Sequence, residues 1–340
     1  MEDLRDSLKE NAAFYRRQLE LIAARLTILP RGTVKAKKIG AEIFFYLQYR
    51  QGKSVKSDYV GKRVSPDLQE KLAERKRLES EMKQVREALK LLRETGDNET
   101  NLVEPLRSIL AKLTKEKMWD SGFEIIGSWC FLLYQRLLPI EKYPLRTQDL
   151  DILIPLPYRG KPLDLIDFFK KLGFSESFNP DGSIFFSGYK MKVEFLGPEK
   201  GDGSKPPRYI KEIAITPQLL HYLDILFEEP LVLKVAKGVR AKVPAPAAFT
   251  IHKLIIATLF KRANKKEKDI RQAVYAGKYV LSERAEMKKM MRLWDWLPRP
   301  WKRKVGRALA DALDIVPLEQ GTIRQLLSKL NALPNKTKKS

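Results

Sequence analysis

The chain of 340 residues is 44% hydrophobic and 31% charged; it is long enough for two or three domains and apolar enough to bury real cores, which excludes a disordered polypeptide. Its 65 Lys and Arg against 42 Asp and Glu give a formal net charge of +23, pointing to a polyanionic partner, nucleic acid ahead of an anionic membrane surface. No apolar run approaches the ~20 residues that span a bilayer. The acidic start Met1-Glu2-Asp3-Leu4 is unlike a signal peptide, and the lone Cys130 leaves no intrachain disulfide or multi-cysteine zinc site, so a cytoplasmic protein is expected.

Leu8, Ala12, Tyr15, Leu19, Ile22, Leu26 and Leu29 recur at alternating four- and three-residue steps, the seam of a helix that packs on another helix. Leu78, Met82, Val85, Leu89 and Leu92 repeat the pattern in a segment opening at Ser65-Pro66, so an antiparallel helical stalk is expected. Between the helices, residues 32–39, 42–50 and 55–60 read as three short strands with turns at Gly40-Ala41 and Gln51-Gly52-Lys53. This small β-meander tip is rich in Lys35, Lys37, Lys38, Tyr46, Tyr49, Arg50, Lys53, Lys56, Tyr59, Lys62 and Arg63. Two readings are open: basic and aromatic side chains that follow a nucleic-acid strand, or aromatics that pack on the stalk beneath solvated lysines. The polar run 94–101, with a helix stop at Gly96, sets a first domain of 1–97.

Residues 124–127 read as a strand, and Ser128 opens an apolar helix stopped at Pro139. A Gly127-Ser128 junction lets a phosphate approach the backbone and the helix N-terminal amides, although such a pair is more often a plain turn. Asp149-Leu150-Asp151 heads a second strand. Period-two alternation puts both carboxylates on one face, and the run into Ile152, Leu153 and Ile154 reads as buried, so a cation is wanted there. Magnesium, singly or as a pair, suits carboxylate oxygens and phosphates. Glu194, in the strand Lys190-Met191-Lys192-Val193-Glu194-Phe195-Leu196, offers a third carboxylate or reads as an ordinary exposed Glu. A helix over 163–173 and a hairpin partner at 183–187 complete a mixed sheet. His221 and His252, without a cysteine nearby, do not suggest zinc.

A helix over 246–261 should be largely buried, followed by helical patterns at 268–279, 282–293, 301–313 and 322–330. Trp294, Trp296 and Trp301 fit interhelical packing better than base stacking, and residues 335–340 read as a mobile basic tail.

The order Gly-Ser, Asp-hydrophobic-Asp, then one carboxylate on a later strand resembles the polymerase-beta-like nucleotidyltransferase superfamily. Residues 239–254, Arg262 and 265–273 are similar to bacterial nucleotidyltransferase-like proteins and, more distantly, to abortive-infection toxin nucleotidyltransferases. The resemblance covers roughly residues 120–280 and implies an α+β nucleotidyltransferase core, expected at 98–243, preceded by the stalk and tip at 1–97 and followed by a helical domain at 244–340. It also implies transfer of a nucleoside monophosphate from a nucleoside triphosphate with Mg2+ or Mn2+. Gly127 and Ser128 would hold the triphosphate, Asp149 and Asp151 would ligate the metal, and Glu194 would take the third-carboxylate place as a further metal ligand and catalytic residue, where many members carry Asp. Lys253, Arg262, Lys268 and Asp269 would lie near the nucleotide, the aspartate orienting a lysine or a substrate hydroxyl; the same three cations read equally as a solvated helical surface. The charge favours an RNA end as acceptor, tRNA first, with a protein hydroxyl or small molecule open. A toxin-like role follows only by analogy, and a third option is a structural partner in a larger complex that uses the helical stalk. The rival is a degenerate member that binds nucleic acid without catalysis.

Overall fold

The computed structural model describes residues 2–52, 54–94, 100–141, 145, 147–201 and 207–332. Lys53, residues 95–99 and the tail at 335–340 lie outside the described residues, as do the side chains of Leu8, Ala12 and Leu92. The chain divides into two compact units, one of Asp6–Gly96 and one of Asp97–Ser340 with the first five residues.

In the first unit, α1 (Glu2–Ile28) leads into β1 (Thr33–Ile39), β2 (Glu42–Gln51) and β3 (Ser54–Gly61), an antiparallel meander in that order, and α2 (Pro66–Glu94) returns beside α1. Ser65 caps α2, its Oγ accepting the Leu68 N–H at 3.2 Å, which satisfies one of the helix's orphan donors. Gln18, Ile22, Leu26 and Leu29 are buried on one side, and Leu78, Glu81 and Val85 on the other. Arg25 holds Glu74 through two nitrogens, and Arg75 Nη1 donates to the Leu26 and Leu29 carbonyls at 2.9 Å each. A cation on the last carbonyls of α1 also suits the helix dipole.

The second unit opens with a helix that the sequence pattern did not reveal, α3 (Thr100–Lys115), which carries Pro105 within it. Then come β4 (Glu124–Ile126), α4 (Gly127–Leu137), β5 (Asp149–Leu153), α5 (Leu165–Lys170), β6 (Ser175–Phe178), β7 (Ile184–Gly188), β8 (Met191–Pro198) and β9 (Gln218–Leu220). The sheet runs β4-β5-β8-β7-β6, with β9 also on β8. The β5–β8 and β8–β9 pairs are parallel and the others antiparallel, so the sheet is mixed. α5 is shorter than the expected 163–173 because Asp164 caps it, accepting from the Asp167 N–H at 2.9 Å. One sheet face carries the aromatic core. Phe169 stacks on Phe186 at 4.5 Å, and Phe195 meets both rings and Phe123 edge-on at 5.8 to 6.1 Å.

β10 (Leu231–Ala236) and β11 (Val239–Val243) form a separate ribbon, followed by α6 (Pro246–Ile256), α7 (Lys266–Ser282), α8 (Arg284–Trp296), α9 (Arg299–Ile315) and α10 (Gln320–Lys329). Every residue of α6 is buried, and the helices around it share one hydrophobic cluster that includes Leu254, Ile270, Leu309 and Leu326. α6 ends five residues before the expected 261, and the chain turns into a 3₁₀ segment, Phe260–Lys265. Trp294 is in this cluster and Trp301 packs against it, whereas Trp296 is exposed. Among the described residues no helix is long and apolar enough to cross a membrane.

All five tryptophans, Trp119, Trp129, Trp294, Trp296 and Trp301, lie in the second unit, so tryptophan fluorescence reports that unit. Phe195→Ala removes a ring shared by three aromatic contacts and should lower its unfolding free energy by about 3–5 kcal/mol, read from the tryptophan transition in urea.

Candidate active site

The site is set by strand pairing. In the parallel β5–β8 ladder Asp149 lies opposite Lys192 and Asp151 opposite Glu194. Alternation then sends Leu150, Ile152, Val193 and Phe195 into the core and leaves Asp149, Asp151, Lys192 and Glu194 together on the other face, all partly buried. Lys192 Nζ lies 2.6 Å from Glu194 Oε1 and 4.2 Å from the Phe185 ring centroid. Among the described residues neither aspartate has a hydrogen bond or ion pair to its carboxylate. Desolvation, reinforced by Glu194 and opposed by Lys253, pushes Asp151 up to about 7, with Asp149 adding to the rise.

Gly127 closes the other side. The antiparallel β4–β5 pair places Ile126 opposite Asp151, so the first residue of α4 reaches the carboxylate. Gly127 has φ +65°, and a Cβ on it would collide with the Asp151 carboxylate, whose Cγ would be 3.1 Å away. Glycine is required twice over, for the backbone angle and for the approach. α4 starts at once, with no side-chain cap on its first amides. Ser128 is buried, and Gln272 Nε2 on α7 reaches its Oγ at 3.4 Å.

The cations come from the C-terminal helices. Lys253 on α6 and Asp269 on α7 are almost fully buried, with Nζ to Oδ1 at 2.7 Å. Arg262 reaches Asp269 Oδ2 through Nε at 3.1 Å and Nη2 at 2.9 Å. Against the desolvation that would raise it, these two cations hold Asp269 below the ordinary carboxylate range. Lys268 is pushed down by desolvation and then by Lys253 and Lys265, with Asp269 and Asp149 opposing. Lys253 and Lys265 both act electrostatically on Asp151. Basic residues thus converge from two helices and the 3₁₀ segment on a two-aspartate face beside a helix N-terminus, an arrangement suited to a polyphosphate.

The structure brings Gly127, Asp149, Asp151 and Glu194 to one strand face and its neighbouring turn, and joins Lys253, Arg262 and Asp269 in one ion network. It gives Glu194 a partner that the three-carboxylate expectation did not contain. Among the described residues no group of three or more His, Cys, Asp or Glu side chains is placed to hold a metal ion. The aspartate pair nevertheless fits one: two neighbouring carboxylates, one disfavoured as an anion where it stands, lack the positive charge that a hard divalent cation brings. The pairing of Lys192 with Glu194 and the approach of Gln272 to Ser128 escaped the sequence reading. The alternation that placed Glu194 also placed Lys192 beside it, whereas nothing local links Gln272 to Ser128. His252 is buried and pushed down to about 3 by desolvation and then by Lys253, so it is neutral.

A second buried carboxylate, Glu124 on β4, is pushed up to about 7 by desolvation, against Lys242. Lys242 Nζ lies 3.4 Å from it, and among the described residues neither of its oxygens has a hydrogen-bond partner.

A family model described as nucleotidyltransferase matches residues 104–294, just over half of the chain and the whole of the site above. The chain belongs to the nucleotidyltransferase family. A comparison with curated proteins returned no match. Among solved structures, an antigenic nucleotidyltransferase-like protein from Paracoccidioides brasiliensis is similar at a TM-score of 0.34 and 16% identity, over 68% of this chain and 94% of that one. That likeness is too slight to bear on the argument.

Gly127→Ala should destabilise the second unit by about 1–3 kcal/mol, and less in an Asp151→Ala background, where the clash is relieved; a denaturation double-mutant cycle measures both. Glu124 yields a pH dependence. A carboxyl whose folded pKa lies above its unfolded 4.5 binds more protons when folded, so its contribution to stability falls as pH rises from 4.5 to about 7. Glu124→Gln should therefore gain stability over the wild type progressively across that window and level off above it, as followed by melting temperature at a series of pH values.

Proposed function

We propose that this protein transfers a nucleoside monophosphate from a nucleoside triphosphate to a polynucleotide end, an RNA and first of all a tRNA, in a reducing, cytoplasmic setting. The observation that carries this is the register of β5 and β8, which gathers Asp149, Asp151 and Glu194 beside Gly127 at the start of α4. The acceptor class rests on the net charge of +23.

In this reading the α4 amides and Ser128 hold phosphate oxygens, while Lys253, Lys265 and Lys268 offset the triphosphate charge. Asp269 fixes Lys253 and Arg262 in place. The acceptor hydroxyl oxygen bonds to the α-phosphorus, the bond to the bridging oxygen breaks, and pyrophosphate leaves. Glu194 completes the charge balance or takes the proton that the hydroxyl loses. A magnesium or manganese ion on Asp149 and Asp151 would lower the pKa of that hydroxyl and neutralise charge on the transferring group.

The Lys192–Glu194 pair favours a second reading, in which the fold binds nucleic acid without catalysis, because a lysine already occupies the third carboxylate. A toxin-like role rests on the resemblance alone. The test is label transfer from each α-labelled nucleoside triphosphate, with magnesium or manganese, onto total RNA, tRNA and the protein itself. Label should enter an RNA acceptor and fall by more than about a hundredfold in Asp149→Asn/Asp151→Asn, since even outer-shell changes at metal sites cost ten- to a hundredfold. No label under either metal, with RNA binding intact, would replace transfer by the binding reading.

A further inference from the structure

The meander of the first unit has two chemically different faces. The register Lys35 opposite Tyr46 opposite Tyr59, and Lys37 opposite Phe44, puts these five side chains on one face, along with Arg50. Tyr46 and Tyr59 have ring centroids 5.5 Å apart, and Phe44 lies 6.2 Å from Tyr59. The rings form a row across two adjacent strands and do not sink into a core: Tyr59 is 58% exposed, and Phe44 and Tyr46 are only partly buried. Lys62 Nζ stands 5.7 Å from the Phe44 ring centroid and pairs with Glu42 at 2.5 Å. Lys35, Lys37 and Arg50 are exposed and have no ion-pair partner among the described residues. The acidic Asp58 belongs to the opposite face, opposite Leu47, where the Tyr49 hydroxyl donates to it.

We infer that this face binds single-stranded nucleic acid, the bases stacking on Tyr46, Tyr59 and Phe44 while Lys35, Lys37 and Arg50 contact the phosphates. Unpaired cations alone would suit any polyanion. A row of accessible rings between them selects unpaired bases, because a duplex buries its base faces in its own stack. A protein partner would be expected to meet an apolar centre with few charges, and here the centre is ringed by cations. The inference deepens the polynucleotide-acceptor reading and rests on it for its role, since the strand that the face holds would belong to the acceptor. Binding itself is independent of catalysis.

The experiment uses the full chain and labelled oligonucleotides in fluorescence anisotropy: a single-stranded RNA, a duplex of the same length, and heparin as competitor. Tyr46→Ala/Tyr59→Ala should weaken single-strand binding about tenfold or more, as expected for losing two base stacks, and leave duplex binding within about twofold. Tyr46→Phe/Tyr59→Phe keeps the rings and should retain wild-type affinity, which separates stacking from a damaged fold. Lys35→Ala/Lys37→Ala should reduce the dependence of log affinity on log salt by about 1.4, two contacts at ~0.7 each. Equal losses for single strand, duplex and heparin in the alanine pair, or no loss at all, would overturn the inference. Carried out in the Asp149→Asn/Asp151→Asn background, the same binding series tells the two readings apart. Strand binding kept while transfer is absent in the wild type defeats the catalytic reading alone; transfer present with ring-independent binding defeats this one alone.

Discussion

The parallel pairing of β5 with β8 is the constraint on which the rest of the second unit depends. A strand can present polar groups on one side only if the other side is buried, and here Leu150, Ile152, Val193 and Phe195 lock the sheet onto an aromatic core. A one-residue slip of β8 in that register would send Glu194 into the core, bring Phe195 to the other face and part Glu194 from Asp151. The aromatic packing and the acidic face therefore follow from one pattern, and the core fixes the site without touching it. Gly127 extends the same logic to the neighbouring strand, because only a residue without a Cβ lets α4 begin against the Asp151 carboxylate.

A second constraint lies in the C-terminal helices. Asp269 is the one carboxylate between two cations, nearly inaccessible to water together with Lys253. Desolvating Lys253 and Asp269 is costly, and the arrangement persists because they satisfy one another and the part-exposed Arg262 adds two further hydrogen bonds. Its surplus is one positive charge, held on α6 and the 3₁₀ segment and aimed at the strand face through its field on Asp151. A single buried aspartate thus converts two flexible cations into a fixed cationic wall, which a solvated lysine surface could not supply.

Much of this was legible in the sequence because it is written in short-range periodicity. The three meander strands, the aspartate pair and the helical nature of the C-terminal third follow from steps of two, three or four residues, and the start of α2 at Pro66 from the Ser65-Pro66 pair. α3 was not legible: Pro105 sits within it, and its flank at 95–99 is polar. β10 and β11 went unread as strands; the ribbon is held by contacts remote in sequence, Thr114 Oγ1 accepting the Arg240 N–H at 3.1 Å and Lys242 Nζ lying 3.4 Å from Glu124. The site was legible as to residue type and face but not as to pairing. Lys192 was visible two positions before Glu194, on the same face, yet only coordinates show the lysine spent on that carboxylate and not on solvent.

That pair bears on how many ions the acidic face can carry. Two ions bridging a triphosphate need a set of carboxylates that share negative charge, and each added oxygen ligand lowers the repulsion between the cations. Lys192 brings a positive charge into that set, 2.6 Å from the third carboxylate, so a second divalent ion there would face a fixed ammonium as well as the first ion. The remaining pair, Asp149 and Asp151, has the charge for one ion. In the proposed reaction, the positive charge that a second ion would place near the phosphates would come from Lys253, Lys265 and Lys268, of which Lys253 and Lys265 act on Asp151. The acidic strands and the basic helices are in this sense complementary halves of one charge balance.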